Sequence, residues 1–179
     1  MVYVFLADGF EEVEALTPID LMRRAEIEVR TVSIMNRREV VGAHQVPVVA
    51  DELYGQSDYD GAELLLLPGG MPGTTNLGQH EPLCQILRSH NAKGGLLAAI
   101  CAAPSVLGRL GLLEGKQATC YPGFEDALGN SHVDDYVVCS DNVITARGAG
   151  VSVDFAHAII SRLRGVQAAD QVLASIQCR

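Results

Sequence analysis

The segment Gly95-Leu-Leu-Ala-Ala-Ile-Cys-Ala-Ala-Pro104 constrains this chain more than any other. A continuous apolar run of strand length stops at one cysteine, then gives way to small residues and the helical stretch Ser105-Val-Leu-Gly-Arg-Leu110. The pattern predicts a buried strand, a tight turn carrying Cys101, and a helix whose unpaired N–H groups and positive dipole end face the sulfur. Such surroundings are expected to push Cys101 towards thiolate, the form that attacks carbonyls and peroxides. A free cysteine also serves as a small buried hydrophobe. The elbow by itself leaves both roles open.

Strand and helix signals alternate around that segment. Val2–Ala7 reads as a buried strand, and Glu11–Ala25 carries a helical apolar stripe in which Pro18 predicts a kink or a late start. Glu28–Ile34 returns as a strand, and Glu39–Gly42 with Val46–Ala50 forms a hairpin decorating the sheet edge. Ala62–Leu67 is an apolar strand that runs into Pro68-Gly-Gly-Met-Pro-Gly73, a backbone required to turn sharply. A helix over His80–Asn91, the strand Gly95–Ile100 and a helix over Pro104–Leu110 follow. Further on, the pattern predicts a strand at Gln117–Cys120, a short helix at Phe124–Leu128 and a hairpin of Val137–Cys139 with Val143–Ala146. A long helix then opens after Arg147-Gly-Ala-Gly150, and a last one covers Gln167–Ile176. This order implies one α/β domain over residues 1–179, with a mostly parallel sheet and helices on both faces. In such sheets the cleft lies at the carboxyl ends of the strands. Asp8-Gly9 with its following acids, Pro68-Gly69-Gly70 and Cys101 all fall at such ends.

Charge narrows the partners. The formal net charge of −9 argues against nucleic acid or an anionic membrane as the main partner. No apolar run approaches the roughly 18 to 20 residues that span a bilayer, and the first residues read as a core strand rather than a signal sequence. The cysteines at 84, 101, 120, 139 and 178 form no CxxC pair and suit a reducing cytosol. A cytoplasmic protein is therefore expected. His132-Val-Asp-Asp135 falls short of a closed metal-ligand set, so neither metal nor cofactor is expected.

Glu11 and Glu12 are the acids a helix amino terminus favours. Glu14 belongs to the turn facing the strand ends. If it shares a pocket with Cys101, two anions cannot coexist there, and one group keeps its proton. A protonated Glu14 would donate to the sulfur, titrate jointly with it and act as general acid/base. The Gly69-Gly70 pair frees backbone N–H groups to curl towards an oxyanion, and the amides of Gly70 and Ala102 are the expected donors.

Four ordered motifs, Gly9-Phe-Glu-Glu-Val-Glu14, Leu67-Pro-Gly-Gly70, Ala98-Ala-Ile-Cys-Ala-Ala-Pro104 and Thr145-Ala-Arg-Gly-Ala-Gly150, resemble those of the ThiJ/PfpI superfamily. They are most similar to its branch around the parkinsonism-associated deglycase and bacterial relatives. The resemblance implies a flavodoxin-like fold, a homodimer, an oxidation-sensitive Cys101 and a protonated Glu14 bonded to it. It implies glyoxalase or deglycase action on small reactive dicarbonyls such as methylglyoxal and on glycated groups. Alternatively, it implies an oxidative-stress sensor or redox-regulated chaperone in which peroxide oxidises Cys101.

Departures from the pattern sharpen the expectation. Ala102 follows the cysteine where protease-like members carry histidine, which disfavours a peptidase. His157-Ala-Ile and His132-Val-Asp do not supply the His-x-Glu pair of glutaminases. Tyr121 stands before Pro122 where the deglycase branch places histidine. With an unperturbed pKa of roughly 10, a tyrosine is a poor proton shuttle at neutral pH, so turnover must lean on Glu14. Two further residues are candidates for the site: His44, in the hairpin that approaches the partner's pocket in family dimers, and Arg147, which orients cleft groups or caps the sheet edge. Cys120 draws notice as the neighbour of Tyr121.

Overall fold

The computed structural model describes residues 1–178. Seven strands form the main sheet: β1 (Val2–Leu6), β2 (Val29–Ser33), β5 (Glu52–Leu53), β6 (Leu64–Leu67), β7 (Leu96–Ile100), β8 (Val137–Ser140) and β9 (Val143–Ala146). Their order is β5-β2-β1-β6-β7-β9-β8, and every pairing is parallel except that of β8 with β9. The α/β, mostly parallel flavodoxin-like architecture expected from the sequence is the one observed.

The strands are apolar throughout because helices cover both faces. Val2, Val4, Leu6, Leu64, Leu66, Ala98 and Ile100 pack into one cluster with residues of α1 (Glu12–Arg24), α5 (Ser152–Arg164) and α6 (Val166–Ser175). The alternate residues Tyr3, Phe5, Leu65, Leu67, Leu97 and Ala99 join a second cluster with α2 (Gly73–Gln79), α3 (Glu81–Ala92) and α4 (Pro104–Arg109). Strand pleating thus divides one run of hydrophobes between two cores.

Several elements differ from the sequence reading. Helix α1 starts at Glu12 and continues through Pro18, which is buried, so Pro18 does not delay the start. The hairpin β3 (Glu39–Val41) with β4 (Pro47–Val49) forms a sheet of its own. It lies over the carboxyl end of β1 rather than on the sheet edge, because Gly9 N–H donates to Val41 O at 2.8 Å and Ala43 N–H to Phe10 O at 2.7 Å. Residues 117–120 make only the isolated bridge Ala118–His132, since β7 and β8 already occupy both edges of β9. The helix expected at 124–128 is a 3-10 turn over Glu125–Ala127. Helix α2 and the two-residue β5 were not foreseen. No helix of the described residues is long and apolar enough to cross a membrane.

The chain leaves β1 towards β2 and later returns to β6 on the opposite side, so the order reverses at β1/β6. Ligand crevices of open α/β sheets form at such a point. The loops after β1, β6 and β7 meet there.

Candidate active site

Cys101 ends β7 with φ +65°, the left-handed region that non-glycine residues seldom occupy. Its neighbours hold it there. Cys101 N–H donates to Ala146 O at 2.8 Å, and Tyr121 N–H donates to Cys101 O at 2.8 Å. Strain of this kind persists only where surrounding bonds enforce it, and it concentrates at functional sites. The turn leads into α4, with Pro104 in the first turn and Ala103 as its cap.

Glu14 lies in the first turn of α1 and is 1% exposed. Gly69 N–H donates to its Oε2 at 3.1 Å, the Ala149 amide donates to the same carboxyl, and the Cys101 thiol is its hydrogen-bond partner. Gly69 permits this closeness. A Cβ there would stand 2.5 Å from Glu14 Oε2 and 2.7 Å from Cys101 Cβ. Gly70, at φ +88°, turns the chain so that its amide, like that of Ala102, donates to the sulfur.

Burial pushes the Glu14 carboxyl up to about 7. The hydrogen bond with Cys101 and the amides of Gly69 and Ala149 oppose that rise, while the charge of Glu11 adds to it. Burial likewise pushes the Cys101 thiol up to about 12, helped by the Glu14 charge and hydrogen bond, and the Ala102 and Gly70 amides offset only part. These contributions work against the thiolate expected from the elbow. The elbow is present, but α4 is six residues long, and a buried anion beside Glu14 is costlier than two amides can offset. Once Glu14 ionises, the pair holds one proton between carboxylate and sulfur.

The profile of the DJ-1/PfpI family matches residues 1–162. The chain belongs to the DJ-1/PfpI family. It is 38% identical over 172 residues to Protein dj-1beta of Drosophila melanogaster, covering 94% of this chain and 92% of that one. It is 31% identical over 168 residues to the glutathione-independent glyoxalase DJR-1.2 of Caenorhabditis elegans, covering 91% and 88%. Among solved structures, oxidized DJ-1 of Toxoplasma gondii superposes with a TM-score of 0.95 at 34% identity, covering 99% of this chain and 97% of that one.

Other candidate residues of this DJ-1/PfpI chain lie outside the Glu14–Cys101 contact. His44 does not join Cys101 within the chain. Its ring is exposed, with Nδ1 3.0 Å from Glu12 Oε2 and 3.4 Å from Glu11 Oε2. The hydrogen bond to Glu12, with the charges of Glu11 and Glu12, raises the imidazolium above its ordinary range. Glu12, an acid in the first turn of α1 as expected, has a second role. It is buried, and its Oε1 accepts from the amides of His44 at 2.8 Å and Val46 at 3.4 Å. Burial opposes its charge, yet these amides, its own amide and the His44 ring together hold its carboxyl below the usual range. Glu11, Glu12 and His44 bring three possible ligand atoms within 4.8 Å, but Glu12 is already engaged by the hairpin. This contact, across 32 residues of sequence, left no local signal. Glu12→Ala should lower stability by about 1 to 3 kcal/mol through the unpaired hairpin amides. The urea midpoint reads this, and an unshifted midpoint would show that the hairpin holds without Glu12.

Arg147 braces the segment before β8. Its Nη1 lies 2.6 Å from Asp134 Oδ1, its guanidinium stands 5.7 Å above the Tyr136 ring, and its N–H donates to Tyr136 O. Tyr121 reaches the site through its amide and through its ring, which flanks Gly148. Cys120 is buried in the second core, and burial pushes its thiol up to about 11, so it fills space beside the site.

Proposed function

We propose that this DJ-1/PfpI chain is a cysteine-dependent stress-protection enzyme with glyoxalase- and deglycase-like action on 2-oxoaldehydes and their adducts. One observation carries this reading: the buried Glu14 carboxyl, held by the Gly69 amide, stands against Cys101, which the chain keeps at φ +65° beside the Gly70 and Ala102 amides. The name of the Caenorhabditis elegans relative supports the substrate class.

The steps balance without a cofactor. Glu14 carboxylate takes the thiol proton as Cys101 sulfur bonds to the aldehyde carbon of methylglyoxal. The amides of Gly70 and Ala102 hold the developing oxyanion, which then takes a proton to give a hemithioacetal. Glu14, a carboxylate again after giving its proton to that oxyanion, removes the proton on that carbon and returns it to the former keto carbon. The hemithioacetal hydroxyl proton passes to the former keto oxygen, so the first carbon is oxidised as the second is reduced. The resulting thioester is hydrolysed by water, releasing lactate and the thiol.

Because Glu14 must be carboxylate to accept the thiol proton, activity belongs above its pKa. Methylglyoxal conversion to lactate without added thiol should rise as pH increases through about 7 and fall away below it. The pH profile of kcat/KM measures this, and activity that grows towards acid would remove Glu14 as the base.

The second reading, a redox sensor, rests on the same contacts. Two amides aimed at the sulfur and a protonatable Glu14 would equally stabilise a sulfinate. Absent turnover, with Cys101 alone oxidising under mild peroxide, would favour it. We infer a homodimer working in the cytoplasm. Val13 and Leu16 on α1 and Val46 and Val49 on the hairpin expose apolar surface around the same corner of the fold, as a partner copy would require.

A further inference from the structure

An open groove of about 370 Å3 lies beside the Glu14–Cys101 pair, lined by Tyr121, Pro122, Tyr136, Arg147, Gly148 and Ala149 among others. Two walls are shared with the site. Ala149 lends its amide to Glu14, and Tyr121 lends its amide to the Cys101 carbonyl. Gly148 lies between. A Cβ on it would stand 3.2 Å from Tyr121 Cδ2 and 4.0 Å from Glu14 Oε1, in the gap that joins groove to carboxyl. Its backbone is extended, with φ 167° and ψ −173°, a conformation any residue adopts. Space, not backbone geometry, is what the missing side chain provides.

We propose that this groove receives the group attached to the keto carbon of the substrate and selects an aryl ring over a methyl, with Gly148 and Tyr136 as the residues that set the choice. The proposal rests on the glyoxalase reading of the same site and names its substrate class: aryl-substituted 2-oxoaldehydes. Size is the first argument. The groove is open to solvent, with Tyr121 51% and Tyr136 64% exposed, and a ring seated in it would remove more apolar surface from water than a methyl. The second argument is the wall chemistry. Tyr121 and Tyr136 bring ring surface to two sides, suited to stacked or edge contacts with another ring. Tyr136 is braced, since the Arg147 guanidinium stands 5.7 Å above its ring and is itself tied to Asp134 at 2.6 Å. Neutralised in this way, Arg147 acts as a positioning residue for Tyr136 rather than as an anion receptor.

The test compares kcat/KM for phenylglyoxal and methylglyoxal in the wild-type protein, Gly148→Ala, Tyr136→Ala and Tyr136→Phe. The aryl-to-methyl ratio should fall about tenfold or more in the two alanine variants, the scale on which pockets discriminate apolar groups. It should survive in Tyr136→Phe, which keeps the ring. A ratio unmoved by both alanine variants overturns the proposal. A parallel measurement separates its failure from that of the glyoxalase reading. Racemic mandelate, the product expected from phenylglyoxal, is followed by saturation-transfer NMR on Cys101→Ser protein, alone and combined with each alanine change. If the wild type converts neither aldehyde, the glyoxalase reading fails. The aryl site then stands only if mandelate shows transfer that Gly148→Ala and Tyr136→Ala abolish, and it falls if the signal is absent or indifferent to both.

Discussion

Cys101→Ser is expected to reduce methylglyoxal conversion by at least about a thousandfold, because no other group at the strand ends can form the covalent adduct. The same change should end oxidation at position 101; Cys84 and Cys120 are buried, and any oxidation at the exposed Cys139 and Cys178 should be unaffected. Glu14→Gln divides these two properties. The amide can still donate a hydrogen bond to the sulfur but cannot accept the thiol proton or carry one between carbons. Turnover should fall about 100- to 10,000-fold, the range for losing a positioned acid/base group. Addition of two oxygens to Cys101 under peroxide should persist. Lactate formation and intact-protein mass spectrometry read the two quantities in one preparation. Turnover that survives Glu14→Gln would remove the carboxyl from the mechanism, and turnover that survives Cys101→Ser would move the chemistry elsewhere.

The second large effect is expected from a single methyl group. In Gly69→Ala the new Cβ would meet Glu14 Oε2 at 2.5 Å, Cys101 Cβ at 2.7 Å and the Ile100 carbonyl oxygen at 2.9 Å. A strand carbonyl cannot yield as a surface side chain does, so Glu14 and Cys101 must be pushed apart. Overpacking of this kind costs about 1 to 3 kcal/mol. The loss of the carboxyl–thiol contact should lower kcat/KM at least about tenfold and move the pH midpoint back towards that of an ordinary carboxylate. Urea denaturation reads the first consequence and the pH profile the second. Unchanged stability together with an unchanged midpoint would show that the approach of β6 to the pair is looser than these distances require.

Much of this architecture is legible in the linear chain because it follows from short periods. The alternation of Val2, Val4 and Leu6 with Tyr3 and Phe5 already divides the strand between two cores. The apolar run ending at Cys101 already requires an elbow, and the place of Glu14 one turn into α1 already aims it at the strand ends. Helix α2 was hidden for the converse reason. Gly73-Thr-Thr-Asn-Leu-Gly78 is poor in helix formers. It becomes helical because Thr74 N–H bonds to Gly70 O and Leu77 is buried in the second core.

The alternation of strands and helices, the elbow cysteine and the carboxyl set one turn into α1 were thus legible in residue type and local spacing, which act over a few positions. Three properties were decided only by tertiary structure. Glu12 became the anchor of a hairpin 32 residues away, since no local pattern encodes that contact. The Cys101 thiol is pushed up rather than down, because desolvation depends on everything packed around the sulfur. Gly148 became the gap between Tyr121 and Glu14, a matter of how three distant segments converge. A sequence names the groups that can react, while their protonation and the room left beside them belong to the packed fold.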